Sequence, residues 1–297
     1  MLGSDERGEL SLEGLYLFTE NPLRRRDHTL NCRHHGLVFT REESVGRGNR
    51  HEPRAIRHYH LLMGDYEALV ETIFYVMVYG LHELLVIGVA SGYAWDVVET
   101  ANRLGHTVVC VDNYGGADPR LDRLTTLGDH IDRALPFTVG LSSPRHRSAA
   151  YRSLAAQQFT NATALLDPSA TIASTVTVGH GVYVNAGAVI GSRTGLGCAV
   201  NVNRSASIGH DNEIGWGSSI GPGAVTGGHV HIGEKSLLGV GAVVMPEVSI
   251  GRQCVIGAGA VVLRDVAPGS TVVGNPGRVV ATDTLEEEAS CPYCTTK

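Results

Sequence analysis

The chain has 297 residues, 43% of them hydrophobic and 18% charged, with a formal net charge of −6 at neutral pH. This balance fits a globular chain of about two domains, and with no basic block in the folded portion it argues against nucleic acid as a partner. The apolar run from Ile73 to Leu81 is too short for a membrane span and is flanked by Glu71 and Glu83; with no signal-peptide pattern opening the sequence, the expected location is cytoplasmic.

Residues 1 to about 62 show neither a helical nor a strand period, yet they hold six of the 14 histidines and ten of the 22 arginines. The expectation for 1–75 is a disordered extension, or translation from a start codon placed too early, with Met63 or Met77 the true start. Arginine outnumbers lysine 22 to 2, which looks like codon bias in a GC-rich genome. A sharper alternative is a metal or anion site built from Cys32, His34 and His35, with or without Cys291 and Cys294. A zinc site normally shows both ligand pairs at tight spacing, and only Cys291-Pro292-Tyr293-Cys294 has it. No metal is therefore expected, and the six cysteines are expected to be reduced thiols.

Residues 82–165 read as a small Rossmann-like α/β domain. Leu84 to Gly88 is an apolar run leading into Val89-Ala90-Ser91-Gly92. A helical pattern follows (Ala94, Val97, Val98, Ala101, Leu104), stopping at Gly105. Thr107 to Val111 is a second run, ending at Asp112-Asn113, so an acid stands 24 residues after the first glycine. That layout suits a nucleotide at a helix N-terminus with Asp112 near a ribose. Ala90 occupies the second glycine of the dinucleotide fingerprint, so spacing alone leaves nucleotide binding and simple fold punctuation both open. Pro136 to Gly140 predicts a third strand. Ser143-Pro144 predicts a capped helix to about Gln158.

From Ile172 to Val262 the sequence repeats every six residues. Fifteen of the sixteen stepped positions are aliphatic, Thr226 being the exception, and the next residue is Gly at eleven of them. A small or β-branched residue stands four places after each aliphatic, and only Asn212 breaks that column. A period of six is neither helix nor ordinary strand. It predicts a solenoid of short strands, a left-handed parallel β-helix over 166–281 with three hexads to a coil, followed by a flexible tail at 282–297. The glycine column is expected to serve the bends.

Of the solenoid histidines His180, His210, His229 and His231, His210 stands apart. Asp211 follows it and Asn212 comes next. A carboxylate beside an imidazole orients it and raises its basicity, as a general base requires. Gly227-Gly228 lies one coil later, and the three hexads from His210 to Gly228 stack them on adjacent coils. A base and an oxyanion donor can face each other there.

The hexads, the segment Ile208-Gly209-His210-Asp211-Asn212-Glu213-Ile214-Gly215, and the closing Asp265-Val266-Ala267-Pro268-Gly269 and Gly274-Asn275-Pro276-Gly277-Arg278 resemble the NeuD and PglD type of sugar acyltransferase. The resemblance implies an acetyl-CoA-dependent bacterial enzyme, with His210 as base, Asp211 sharpening it, and a homotrimer with the coenzyme between subunits. It implies coenzyme contacts at Ser219, Gly239, Val240, Gly257, Ala258 and Arg278. It also implies sugar-nucleotide contacts at Ser91, Gly92, Tyr93, Asp112, Asn113 and Gly140. The sequence departs from the pattern at Tyr93, where the family usually carries His, at Val89, where it usually carries Gly, and at Asn113, where a second acid is common.

The expected function is acetyl transfer to an amine or hydroxyl of a nucleotide-linked aminosugar or a sialic acid in one ternary complex. The alternatives are a zinc enzyme of the carbonic anhydrase kind on the same solenoid, for which the histidine spacings are wrong, and a non-catalytic trimeric sugar-nucleotide binder or scaffold.

Overall fold

The computed structural model describes residues 83–113, 115–128, 131–285 and 291–294, with the backbone of five short strands before residue 63. The chain divides into two units, Met1–Val78 and Tyr79–Lys297. In the first, Asn31–Cys32, Leu37–Ser44 and Ile56–Leu62 form an antiparallel sheet, and Gly3–Ser4 pairs with Leu10–Ser11. The readings of 1–75 as an extension or an early start, and the side chains of Cys32, His34 and His35, lie outside the described residues.

The second unit opens with a four-stranded parallel sheet: β1 (Glu83–Ile87), β2 (Thr107–Asp112), β3 (Leu124–Thr126) and β4 (Phe137–Val139), in the order β3-β2-β1-β4. Helix α1 (Gly92–Arg103) connects β1 to β2 and buries Ala94, Val97, Val98 and Ala101, the face its apolar spacing dictates. It ends at Leu104, and Gly105 takes φ 81°, a conformation that suits glycine. Helix α2 (Pro144–Ala156) starts with proline in its first turn, though the Ser143 side chain makes no cap hydrogen bond. Strand β3 went unpredicted because its side chains stay largely exposed and carry no apolar pattern.

The solenoid follows in the predicted register. Ile172 pairs with Ile190, Ile190 with Ile208, Ile208 with Thr226, Thr226 with Val244 and Val244 with Val262, each partner three hexads on. Two-residue strands stack into three parallel faces. The first runs from Leu165–Leu166 through Asn201–Val202 and Ser219–Ile220 to Val255–Ile256. The second runs from Thr171–Ile172 to Val261–Val262, and the third from Thr177–Val178 to Ser249–Ile250. Leu166 is in phase with the hexads, so the solenoid begins one hexad before Ile172. The interior holds the aliphatic column and the small-residue column together, and only the first coil is loose: Val178 is 38% exposed.

The glycine column serves a different purpose from the one expected. From Gly181 to Gly259 the left-handed bend falls three residues after each stepped position of the hexads, at Arg193, Ser205, Asp211, Gly223 and His229 among others. The glycine directly after the aliphatic is instead where consecutive coils touch. A Cβ on Gly191 would stand 2.6 Å from the Gly209 carbonyl carbon.

Two buried polar anchors fix the α/β layer to the first face. The Arg147 guanidinium, 2% exposed, donates to the carbonyls of Leu141, Ser142, Ala199, Gly217 and Ser218 and to Ser219 Oγ. Asp167 is likewise buried and accepts from Thr100 Oγ1 (2.8 Å), Arg103 Nε (3.0 Å) and the Ser169 N–H and hydroxyl. Residues 291–294, read from the sequence as part of a flexible tail, are packed: Cys291 is buried and the Tyr293 ring lies against Phe137 and Tyr151. The aromatic ring supplies the apolar contact that a free tail lacks.

Candidate active site

His210, Asp211, Gly228 and His229 occupy one corner of the solenoid, where the chain turns from the second face to the third. His210 Nδ1 lies 2.6 Å from Asp211 Oδ2. Because the carboxylate can only accept, Nδ1 carries the proton and Nε2 presents its lone pair outward. Arg193, one coil earlier, grips both oxygens of Asp211 at 2.7 and 2.6 Å. Arg193 and His210 hold the Asp211 carboxyl well below the usual carboxylate range, so it stays ionised. The sequence reading missed Arg193, although it stands three hexads before Asp211, the same separation that paired His210 with Gly228.

Gly228 lies directly beneath the imidazole. A Cβ there would sit 2.6 Å from His210 Cε1 and 2.7 Å from Nε2. The His229 ring stands edge-on to His210, centroids 5.2 Å apart, with Nε2 3.8 Å from Asp211 Oδ2. The ligand atoms of His210, Asp211 and His229 lie within 4.8 Å of one another, but the Arg193 guanidinium on both Asp211 oxygens opposes a cation there.

The two irregularities in the repeat, Asn212 and Thr226, are one structure. Asn212 is fully buried; it donates to Thr226 Oγ1 (2.6 Å) and the Gly227 carbonyl (3.1 Å) and accepts from the Val230 N–H (2.6 Å). Thr194 Oγ1 continues the network, donating to the Gly209 carbonyl at 2.9 Å and accepting from the Asn212 N–H at 3.2 Å. These bonds tie the backbone on both sides of His210 to the backbone beside Gly228.

The expected coenzyme residues lie elsewhere. Gly239, Val240, Gly257 and Ala258 follow strands of the first face, at the corner between the first and second faces, with Val240 58% exposed. Arg278 is exposed on the closing strand Arg278–Thr282. Ser219 does not join them: it is 2% exposed, bonded to Arg147 and donating to the Ser142 carbonyl, so it serves the contact between α2 and the solenoid.

The expected sugar-nucleotide residues gather at the carboxyl ends of β1, β2 and β4. Ser91 and Gly92 are exposed at the start of α1. Tyr93 instead donates its hydroxyl to Asn201 Oδ1 at 2.6 Å, and burial raises its pKa well above the ordinary tyrosine value. Asp112 accepts from the N–H groups of Gly115 (2.8 Å) and Ala117 (3.1 Å), holding its own loop. Gly140 is buried; a Cβ there would meet Ala94 Cβ at 3.0 Å, so it is a packing position. The Asn113 side-chain oxygen is buried and accepts no hydrogen bond among the described residues.

Residues 229–264 match the family described as bacterial transferase hexapeptide (six repeats). No curated protein matches the sequence. The structure is similar to PerB from Caulobacter crescentus, solved with CoA and GDP-perosamine, at 31% identity and TM-score 0.61 over 68% of this chain and 98% of that one. It is also similar to the acetyltransferase domain of PglB from Neisseria gonorrhoeae, solved with acetyl coenzyme A, at 31% identity and TM-score 0.63 over 67% and 99%. WeeI from Acinetobacter baumannii, at 24% identity and TM-score 0.60 over 67% and 100%, shares the fold. Because 31% identity is sustained across almost the whole of the first two enzymes, the chain belongs to the hexapeptide-repeat, left-handed β-helix sugar acyltransferases of the NeuD and PglD type.

Proposed function

We propose that this acyltransferase moves an acetyl group from acetyl-CoA to an amine or hydroxyl of a nucleotide-linked sugar, with His210 as general base. The observation that carries the reading is the array Arg193–Asp211–His210 over Gly228. Nε2 of His210 takes the proton as the acceptor attacks the thioester carbonyl; the tetrahedral intermediate then collapses and the CoA thiolate leaves. The Gly228 N–H donates to no described atom and is available to the developing oxyanion. A positioned base is worth about 10²–10⁴-fold.

Two further parts of the reading rest on placement. The α/β layer is a Rossmann-like sugar-nucleotide domain: β2 and β4 lie on opposite sides of β1, and Ser91 and Gly92 stand at that switch point. The coenzyme positions and His210 lie on different corners, flanking the second face, whose outer valines Val189 and Val225 are 45% and 40% exposed. A homotrimer that covers this face brings the two corners of neighbouring subunits together around acetyl-CoA. Assay of thiol release from acetyl-CoA against a panel of nucleotide aminosugars and sialic acids tests the proposal. Acceptor-dependent release with one of them supports it, and tight acceptor binding with no release under any condition favours a binding protein.

A further inference from the structure

A second cluster of reactive side chains sits at another corner of the solenoid, where the third face turns into the first. His180 and Cys198 stand three hexads apart and stack on successive coils. Cys291 and Cys294, the two ends of the tight Cys291-Pro292-Tyr293-Cys294 turn, come to the same place. All four ligand atoms lie within 4.8 Å of one another. Cys198 Sγ is 3.4 Å from Cys294 Sγ, and His180 Nδ1 is 3.3 Å from Cys198 Sγ and 3.9 Å from Cys294 Sγ.

We propose that these four side chains bind one structural zinc ion. Tetrahedral zinc with Zn–S near 2.3 Å and Zn–N near 2.05 Å places two sulfurs about 3.8 Å apart and a sulfur and a nitrogen about 3.6 Å apart. The three separations above fall within a few tenths of an ångström of those edges. Three thiolates and one imidazole form a closed set of the kind structural zinc takes, and soft sulfur ligands select zinc over magnesium or calcium. A disulfide between any two of the cysteines would account for only half the cluster, and would leave the third thiol and His180 converging without purpose.

The surroundings say what the ion does. Cys198 and Cys291 are buried, whereas His180 and Cys294 reach the surface, so the ion has an entry path. Between the paired cysteines, Tyr293 packs against Phe137, Tyr151 and His180, and its hydroxyl donates to the Tyr151 carbonyl at 3.2 Å. Tyr151 lies on α2 and donates to the Gly181 carbonyl of the same corner. Zinc here fastens the tail to the first coils and to the α/β layer at one point. The proposal is independent of the catalytic reading, because His210 stands on a different corner.

The full-length protein, purified after expression with added zinc and dialysed, is expected to carry one zinc per chain by elemental analysis. Zinc content should fall at least tenfold in Cys294→Ser, His180→Ala and Cys198→Ser, and should persist in Cys32→Ser. Cobalt(II) bound in place of zinc should give thiolate charge-transfer absorption, weakened in the exposed-site variant Cys294→Ser, whose fold is checked by circular dichroism. A chelator should lower the Tm of the wild type and leave that of Cys294→Ser unchanged. Zinc retained in Cys198→Ser and Cys294→Ser but lost in Cys32→Ser would overturn the assignment. So would a metal-free wild type in which two of these thiols are titratable only after reduction.

Discussion

At the scale of single residues, the site depends on two contacts that leave little freedom. Gly228 must lack a side chain, because a Cβ would overlap His210 Nε2. Half-exposed as the imidazole is, it can swing away and leave the solenoid standing. Gly228→Ala is therefore expected to lower kcat by roughly 10²-fold with Tm little changed; a fall in Tm without loss of activity would contradict this. Arg193 acts through Asp211, as a positioning residue. Arg193→Ala should cost several-fold in kcat, less than removal of the base, and Asp211→Asn should lie between the two. Asp211 stays ionised because Arg193 and His210 hold its carboxyl low, so it supplies no acid limb of its own. The acid limb of the kcat/KM profile is then lost in the residual activity of His210→Ala.

At the scale of the corner and the coil, the repeat was legible because its aliphatic column has one job and one period. The register of every pair from Ile172 to Val262 follows from counting three hexads at a time. The candidate site was proposed where the repeat fails, and Asn212 and Thr226 do lie at the corner that carries His210. Their reason was not legible, because a buried amide paired with a hydroxyl across coils leaves no periodic trace. Nor were the roles of Ser219 and Tyr93 legible, since both are consumed by contacts between the α/β layer and the solenoid that no local pattern announces. Arg193 and the pairing of His180 with Cys198 were within reach of the same counting and went unread for want of applying it. Asn212→Ala would leave the buried Val230 N–H unpaired, which costs about 1–3 kcal/mol, and would leave the Thr226 hydroxyl with only the Gly209 N–H as partner. Equilibrium unfolding should show a loss of that size together with a lower kcat; a neutral substitution would mean that the network does not hold the corner.

At the scale of the whole molecule, the α/β layer and the solenoid are joined through Arg147 and Asp167. Burial raises the Asp167 pKa, but hydrogen bonds from Ser169, Thr100 and Arg103 outweigh it and bring the carboxyl to about 2. An unfolded aspartate ionises near ~3.9. The anchor therefore contributes fully above about pH 4 and is lost as pH falls from there toward about 2. Asp167→Asn should be destabilised at neutral pH and show a shallower loss of stability across that acid window. Unchanged acid sensitivity would place the transition elsewhere. The exposed second face, between the His210 corner and the Val240 corner, gives the expectation of a trimer, and light scattering that returned a stable monomer under assay conditions would refute it.

Everything proposed for the catalytic corner depends on His210 as the base. Thiol release from acetyl-CoA with the accepted sugar, compared in wild type, His210→Ala and His231→Ala, measures it. Loss of about two to four orders of magnitude in kcat for His210→Ala, with acetyl-CoA binding retained and His231→Ala near wild type, is the predicted result. Full activity in His210→Ala, or a larger loss at His231, would contradict it.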